Sequence, residues 1–229
     1  LTPLQALIFD VDGTLAETEE AHRLAFNAAF RAADLDWTWD VDLYRDLLAV
    51  TGGKERIRWH VERSDPPNGE RALADVDLLH AAKTEFYRRA VERGEVMLRP
   101  GVRRLIAEAQ AAGVRLAVAT TTTAANVEAL VAATFGRPAA SLFEVIVAGE
   151  DVTRKKPDPE VYLIASQRLG LPAAACIAFE DSAPGLAAAR AAGLRTVVSP
   201  SLYCNGFDMA DATWAVGSLD EISLAKLLD

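Results

Sequence analysis

Short, nearly all-apolar runs alternate with stretches of helical period along most of this 229-residue chain. Ala6 to Phe9, Val114 to Ala119, Val145 to Ala148, Cys176 to Phe179 and Thr196 to Val198 are brief and rich in aliphatic residues. Such runs predict strands of a parallel sheet covered on both faces. Between them, Val102, Leu105, Ile106 and Ala109 recur at helical spacing, and Gly113 supplies a stop. Asp158-Pro159 reads as N-cap and first position of a helix through Val161, Ile164 and Ala165 to Gly170. Pro184 to Ala192, closed by Gly193, predicts another. This rhythm predicts an open α/β fold whose ligands bind at the carboxyl ends of the strands.

One stretch breaks the rhythm. From about Glu17 to Glu95 no strand is recognisable, while Val41, Tyr44 and Leu48 form one apolar stripe and Leu78, Leu79, Ala82 and Phe86 another. Pro66-Pro67-Asn68-Gly69 is a loop inside it. Roughly 80 residues of helix is far too long for a strand-to-strand crossover. The pattern predicts a helical domain inserted after the first strand: residues 16–95, with 1–15 and 96–229 forming the α/β core.

Composition narrows the partners. Hydrophobic residues make up 51% and charged residues 25%, which excludes a disordered or collagen-like chain. Lys and Arg total 24 against 33 Asp and Glu, net −9, so no global positive field draws in nucleic acid or an anionic membrane. An anionic substrate would need local cations or a metal. The longest uncharged runs, 116–127 and 196–207, fall well short of the roughly 20 apolar residues of a membrane span. Leu1-Thr2-Pro3-Leu4 shows no basic segment before an apolar run, so no secretory signal is expected. Cys176 and Cys204 sit in no metal or redox pattern. Together these predict a soluble protein of a reducing cytoplasm, monomeric by default.

The first strand runs directly into Asp10-Val11-Asp12-Gly13-Thr14. Two carboxylates this close need a cation, or one must hold a proton. Asp-Gly is also a common turn. A calcium loop is excluded, because its glycine and glutamate positions hold Leu15 and Ala21. A second acidic pair, Glu180-Asp181, ends the Cys176 strand, and two such pairs at strand ends suit a hard, oxygen-liganded ion such as Mg²⁺. Thr120 to Thr123 follow another strand, where hydroxyls and free N–H groups make a phosphate-binding turn or simply cap the next helix. Lys156, in Lys155-Lys156-Pro157-Asp158, would neutralise a transferring phosphoryl group if it lay beside those acids.

In this order the four motifs, with Gly185, resemble the haloacid dehalogenase superfamily over nearly the whole chain. The resemblance implies a Rossmann-like doubly wound core with a C1 cap. Finer features, Asp12 to Glu20 with His22, Thr51-Gly52-Gly53-Lys54-Glu55-Arg56 and Lys155 to Pro159, are similar to the CbbY proteins, sugar-bisphosphate phosphatases associated with the Calvin cycle. That likeness implies xylulose 1,5-bisphosphate as substrate, Asp10 as nucleophile and Asp12 as general acid and base. It further implies Mg²⁺ on the Asp10 carboxylate, the Asp12 carbonyl and Asp181, with Glu180 behind, and Thr120, Thr121 and Lys156 on the phosphoryl oxygens.

For the acid step, the pKa of Asp12 must rise, through exclusion of water on cap closure. Four acidic side chains are thus expected around one ion. Gly53, Lys54 and Lys83 are candidates for a far phosphate, and Glu17 and His22 for sugar hydroxyls or for steadying Asp12; Lys83 and His22 read equally as ordinary helix residues. His60 and His80 suggest no role. A Walker A loop is excluded, since Leu48 and Glu55 occupy its key positions. A hexose-phosphate mutase of the beta-phosphoglucomutase type needs the same parts and is the alternative enzyme. A receiver-like phospho-acceptor is disfavoured by the cap and by the second acid, Asp12.

Overall fold

The computed structural model describes residues 3–204 and 206–228. Leu1 and Thr2 of the N-terminal segment read above lie outside them, as do Asn205 and Asp229. Six parallel strands, β1 (Ala6–Phe9), β2 (Arg115–Ala119), β3 (Val145–Val147), β4 (Cys176–Glu180), β5 (Arg195–Val198) and β6 (Trp214–Ala215), form one sheet in the order β3-β2-β1-β4-β5-β6. The five apolar runs are five of these strands, shifted by a residue at some ends. The sixth has two residues, too few for any periodicity to announce it.

Between β1 and β2 come α1 (Glu19–Ala32), α2 (Val41–Leu47), α3 (Gly53–Ser64), α4 (Gly69–Ala74), α5 (Val76–Glu92) and α6 (Val102–Ala111). After β2 follow α7 (Ala124–Phe135), α8 (Glu160–Leu169), α9 (Ala183–Ala191) and α10 (Leu224–Leu228). Alternation along the strands divides the core. Leu7, Phe9, Leu116, Val118, Ile177 and Phe179 point into one layer with α6, α7 and α10. Ala6, Ile8, Ala117, Ala119, Cys176 and Ala178 point into the other, against α8 and α9. Small residues on that second face let its helices pack close. No helix among the described residues is long and apolar enough to cross a membrane.

Helices α1 to α5 enclose an apolar cluster of their own, built on Phe26, Phe30, Trp37, Trp39, Tyr44, Leu47, Ile57, Val61 and Leu79. Asn27 pins it by exchanging two hydrogen bonds with the Trp39 backbone, at 2.8 and 2.9 Å. The stripes differ from expectation. On α5 the buried face is Val76, Leu79, Lys83, Tyr87 and Ala90, and Leu78 is exposed. The lysine, which a hydrophobicity pattern discards, holds a buried position on that face. On α2, Val41 is exposed while Tyr44 and Leu47 are buried. Helix α8 begins one residue later than expected, at Glu160: Pro159 is its N-cap residue in place of Asp158, whose carboxylate accepts from the Glu160 N–H (3.0 Å). Helix α9 begins at Ala183 with Ser182 as its cap.

Candidate active site

Parallel pairing sets the site. The Asp10 N–H continues the β1–β4 ladder onto the Phe179 carbonyl (3.0 Å), and the Thr120 N–H continues β2–β3 onto Val147 (3.0 Å). Phe9 stacks on Phe179 with ring centroids 4.4 Å apart, so Asp10 and Glu180 emerge side by side at the carboxyl edge. From the loop before α8, Lys156 donates to Asp10 Oδ1 (2.6 Å), Glu180 Oε1 (2.6 Å) and the Ala119 carbonyl (3.0 Å). Those three acceptors exhaust its ammonium protons. Tyr162 donates a further short bond, 2.5 Å, to Glu180.

Asp10, Glu180 and Asp181 are all buried, with one oxygen of each within 4.8 Å of the others. One lysine among three carboxylates leaves excess negative charge. Burial pushes Asp10 up to about 7 although Lys156 opposes it, and Glu180 adds to the rise. Burial and the charges of Asp10 and Glu180 push Asp181 well above the usual carboxylate range. Lys156 is held above its ordinary value, the cost of its burial being outweighed by Asp10 and Glu180. Buried hard oxygen donors whose ionised forms are disfavoured by burial and by one another's charge fit a divalent ion such as Mg²⁺.

Three acids converge, not the expected four. The Asp12 side chain turns toward the helices, where its Oδ1 accepts from Thr18 Oγ1 (2.7 Å) and His22 Nε2 (2.9 Å). His22 Nδ1 lies 2.7 Å from Lys83 Nζ, and the ring stacks on Tyr87. Burial and Lys83 lower the pKa of His22, and its neutral form with the proton on Nε2 satisfies both contacts. Burial raises Asp12, but His22, Thr18 and Lys83 outweigh it and hold the carboxyl well below the usual range. The expected rise of Asp12 is therefore absent in this conformation, because the groups that order it are donors and a cation.

A cavity of about 720 Å³ joins the sheet edge to the helices. Asp10, Asp12, His22, Gly53, Lys54, Lys83, Thr120, Thr121, Lys156 and Asp181 line it; Glu180 lies behind, reaching it through Lys156. Lys54 is paired with Asp77 at 2.6 Å and is half-buried. Glu17 does not line the cavity. Its carboxylate pairs instead with Arg99 Nε at 3.1 Å.

Sequence reasoning missed Glu19, Arg56, His80 and Lys155, which also line the cavity. Glu19 accepts from Tyr44 (2.9 Å), which accepts from Arg56 (2.9 Å), and Arg56 also donates to the Leu47 and Val50 carbonyls. Lys155 pairs with Glu55 (2.7 Å) across the mouth. The helical period of Glu19 with His22, on the same face of α1, was a usable signal; nothing local marks His80.

A doubly covered parallel sheet, acids at its carboxyl edge and a helical lid above them define a phosphotransferase-type hydrolase site. A family model described as haloacid dehalogenase-like hydrolase matches residues 4–193, and the chain belongs to that family. Within it the chain is CbbY-like. It is 57% identical over 216 residues to Protein CbbY of Rhodobacter capsulatus, covering 94% of each chain. Two solved structures of CbbY from Rhodobacter sphaeroides match with TM-score 0.92 and 48% identity, covering 98% and 99% of this chain and 99% of each of those. One is in complex with phosphate, the other, a mutant, with xylulose 1,5-bisphosphate. The chain is thus an enzyme, a phosphatase of the haloacid dehalogenase type.

Proposed function

We propose that this enzyme hydrolyses a phosphate ester of a sugar bisphosphate, xylulose 1,5-bisphosphate foremost, through an aspartyl-phosphate on Asp10. The observation that carries the reading is the Asp10 carboxylate, at the floor of the cavity and 2.6 Å from Lys156, facing a wall that supplies Lys54, Lys83 and Arg56. A bisphosphate needs cations at two separated places, and a chain of net −9 gathers them here.

Asp10 attacks phosphorus, while Thr120 and Thr121 hold the phosphoryl oxygens in line and Lys156, its protons shared with Asp10, Glu180 and the Ala119 carbonyl, acts on them through its charge or by trading one of those bonds. Asp12, ionised and fixed by His22 and Thr18, is poised to take the proton of the water that later attacks the aspartyl-phosphate. In the first half-reaction it must instead donate a proton to the leaving sugar oxygen. A phosphate dianion beside it offsets the pull of His22 and Lys83 and favours that protonated form. Asp10, Asp181 and the Asp12 carbonyl would hold Mg²⁺, with Glu180 steadying Lys156 behind them. The ion supplies charge neutralisation on the transferring group.

The likeness to the CbbY proteins supports a place beside the Calvin cycle in the cytoplasm, and the protein acts as a monomer in this reading. Residues 16–95 act as a cap on a core of 1–15 and 96–229. The separate apolar cluster of α1 to α5 and the Ala16–Leu98 bridge at the crossing support those bounds.

Phosphate release from xylulose 1,5-bisphosphate, ribulose bisphosphate, phosphoglycolate and β-glucose 1-phosphate, with and without EDTA, tests the proposal. EDTA and Asp10→Asn are each expected to abolish turnover of the preferred bisphosphate. Full activity in Asp10→Asn overturns the mechanism, and isomer instead of free phosphate from β-glucose 1-phosphate shows a mutase.

A further inference from the structure

Arg99 belongs to none of the motifs above, yet it is buried, four of its guanidinium N–H groups are hydrogen-bonded and the fifth faces an ion-pair partner. A guanidinium has five N–H donors, and five acceptors surround this one. Nη1 donates to the Gly13 carbonyl (2.5 Å) and the Ser199 carbonyl (2.6 Å). Nη2 donates to Ser199 Oγ (3.0 Å) and the Pro200 carbonyl (2.9 Å), and Nε faces Glu17 (3.1 Å). The acceptors come from two segments far apart in sequence: the loop that leaves β1 and the loop that leaves β5.

The backbone makes this junction the crossing between core and helical insertion. The Arg99 N–H donates to the Leu15 carbonyl (2.9 Å), the Glu17 N–H to Met97 (3.4 Å), and Ala16 bridges Leu98. Outgoing and returning chains therefore lie side by side, and the guanidinium fastens both to the β5 loop. The fastening reaches the acid cluster through Gly13. With φ +82°, its α-carbon lies so close to Asp181 that a side chain there would strike the Asp181 carboxylate and come within 3.0 Å of Ser201. Wherever Arg99 holds Gly13, it fixes the wall against which Asp181 rests.

We propose that Arg99 is a positioning residue that ties the two crossing segments to the β5 loop and thereby sets Asp181 against Asp10. It touches neither reacting atoms nor substrate. The link to Asp181 rests on the reading of Asp10 and Asp181 as partners of one metal ion; the fastening does not.

Arg99→Lys is the test, because an ammonium keeps the charge but cannot serve five acceptors spread in a plane. Backbone amide exchange should quicken at least tenfold at residues 13–17 and 97–99, with β1 and β4 unchanged. Isothermal titration should show Mg²⁺ binding weakened about tenfold. At saturating Mg²⁺, kcat should fall with KM within twofold. Ser199→Ala, which removes one contact of Arg99 together with the long Ser199 Oγ bond to the Gly217 carbonyl (3.4 Å), and leaves the charge buried as before, should move each readout the same way but less. It keeps the test open should Arg99→Lys fail to fold. Unchanged exchange at both crossing segments in a folded variant overturns the fastening. Quickened exchange with unchanged Mg²⁺ affinity overturns the link to Asp181. Exchange needs neither metal nor substrate, so it answers even if the phosphatase reading fails.

Discussion

Lys156 Nζ stands 2.6 Å from Asp10 Oδ1, a contact between residues 146 positions apart, with both groups buried. The same nitrogen is 2.6 Å from Glu180. Removing one member of a buried charge set costs about 3–5 kcal/mol, because the remaining charges are left unpaired. Lys156→Met is therefore expected to lower stability by about that much in urea melts at pH 8, and to lower kcat by at least 10²-fold. Near pH 5 the stability loss should shrink, since the acids then take up protons in place of the lysine. A variant equally stable at both pH values would contradict the arrangement.

The acid cluster also sets how the metal-free protein responds to pH. Asp10 sits at about 7 in the fold against an ordinary 3.8, and Asp181 is raised as well. The folded chain thus retains protons that the unfolded chain releases, so these groups lower stability as pH climbs from about 4 to about 7. Asp12 acts in the opposite sense and in a different window, losing its contribution only as pH falls below the ordinary carboxylate range. Thermal melts in EDTA should show a decline in Tm from pH 5 to 7.5, and Mg²⁺ should restore more stability at pH 7.5 than at pH 5.

Asp12 and His22 form a second pair, 2.9 Å apart, with Lys83 behind the imidazole. Asp12→Asn keeps the size and loses proton transfer, an effect worth about 10²–10⁴ in rate. His22→Gln keeps a donor toward Asp12 and gives up the ring stacked on Tyr87. It should cost less than Asp12→Asn. Single-turnover assays that separate phosphorylation of Asp10 from its hydrolysis should find both steps slowed in Asp12→Asn.

How much of this was legible in the sequence depends on whether a residue announces itself locally. Asp10, Glu180 and Asp181 stand at strand ends, so their convergence at one sheet edge followed from the α/β rhythm, whereas Asp12 turns to the helices and Lys156 was expected beside the acids only on condition that its loop lay there. Glu17 was misread, because nothing in sequence reveals that Arg99, more than 80 residues on, draws it away from the cavity. The direction of the Asp12 shift was missed for a related reason: burial alone would raise it, and the opposing donors come from α1 and α5. Lys83 broke the apolar stripe of α5. In the structure that break marks where the helix faces a cavity instead of a core.

Gly53 tests the mouth of the cavity. Its backbone would accept alanine, and alanine favours a helix over glycine by about 1 kcal/mol. A methyl group there would come within 2.6 Å of the His80 ring, however, so the imidazole must move. Stability of Gly53→Ala should stay within about 1 kcal/mol of the parent, as propensity and crowding offset each other. KM for a bisphosphate should rise several-fold while kcat holds, as steady-state kinetics on the folded variant would show.

Lys83 makes the most specific claim on pH. Burial holds its pKa down to about 8; Arg56 also lowers it, while Asp12 and Glu19 act against the fall. As pH rises through about 8 the ammonium becomes neutral, the wall facing the far phosphate loses a charge, and KM for a bisphosphate should rise. Stability should move the other way. The folded state prefers the neutral amine, so burying the charged lysine costs stability below about 8, and that cost is relieved between about 8 and the ordinary 10.5. Lys83→Arg removes the titration, since guanidinium stays charged throughout. In that variant the rise of KM between pH 7 and 9 should flatten, whatever its absolute activity. A parent enzyme whose KM is level over this range would show that Lys83 does not meet the substrate.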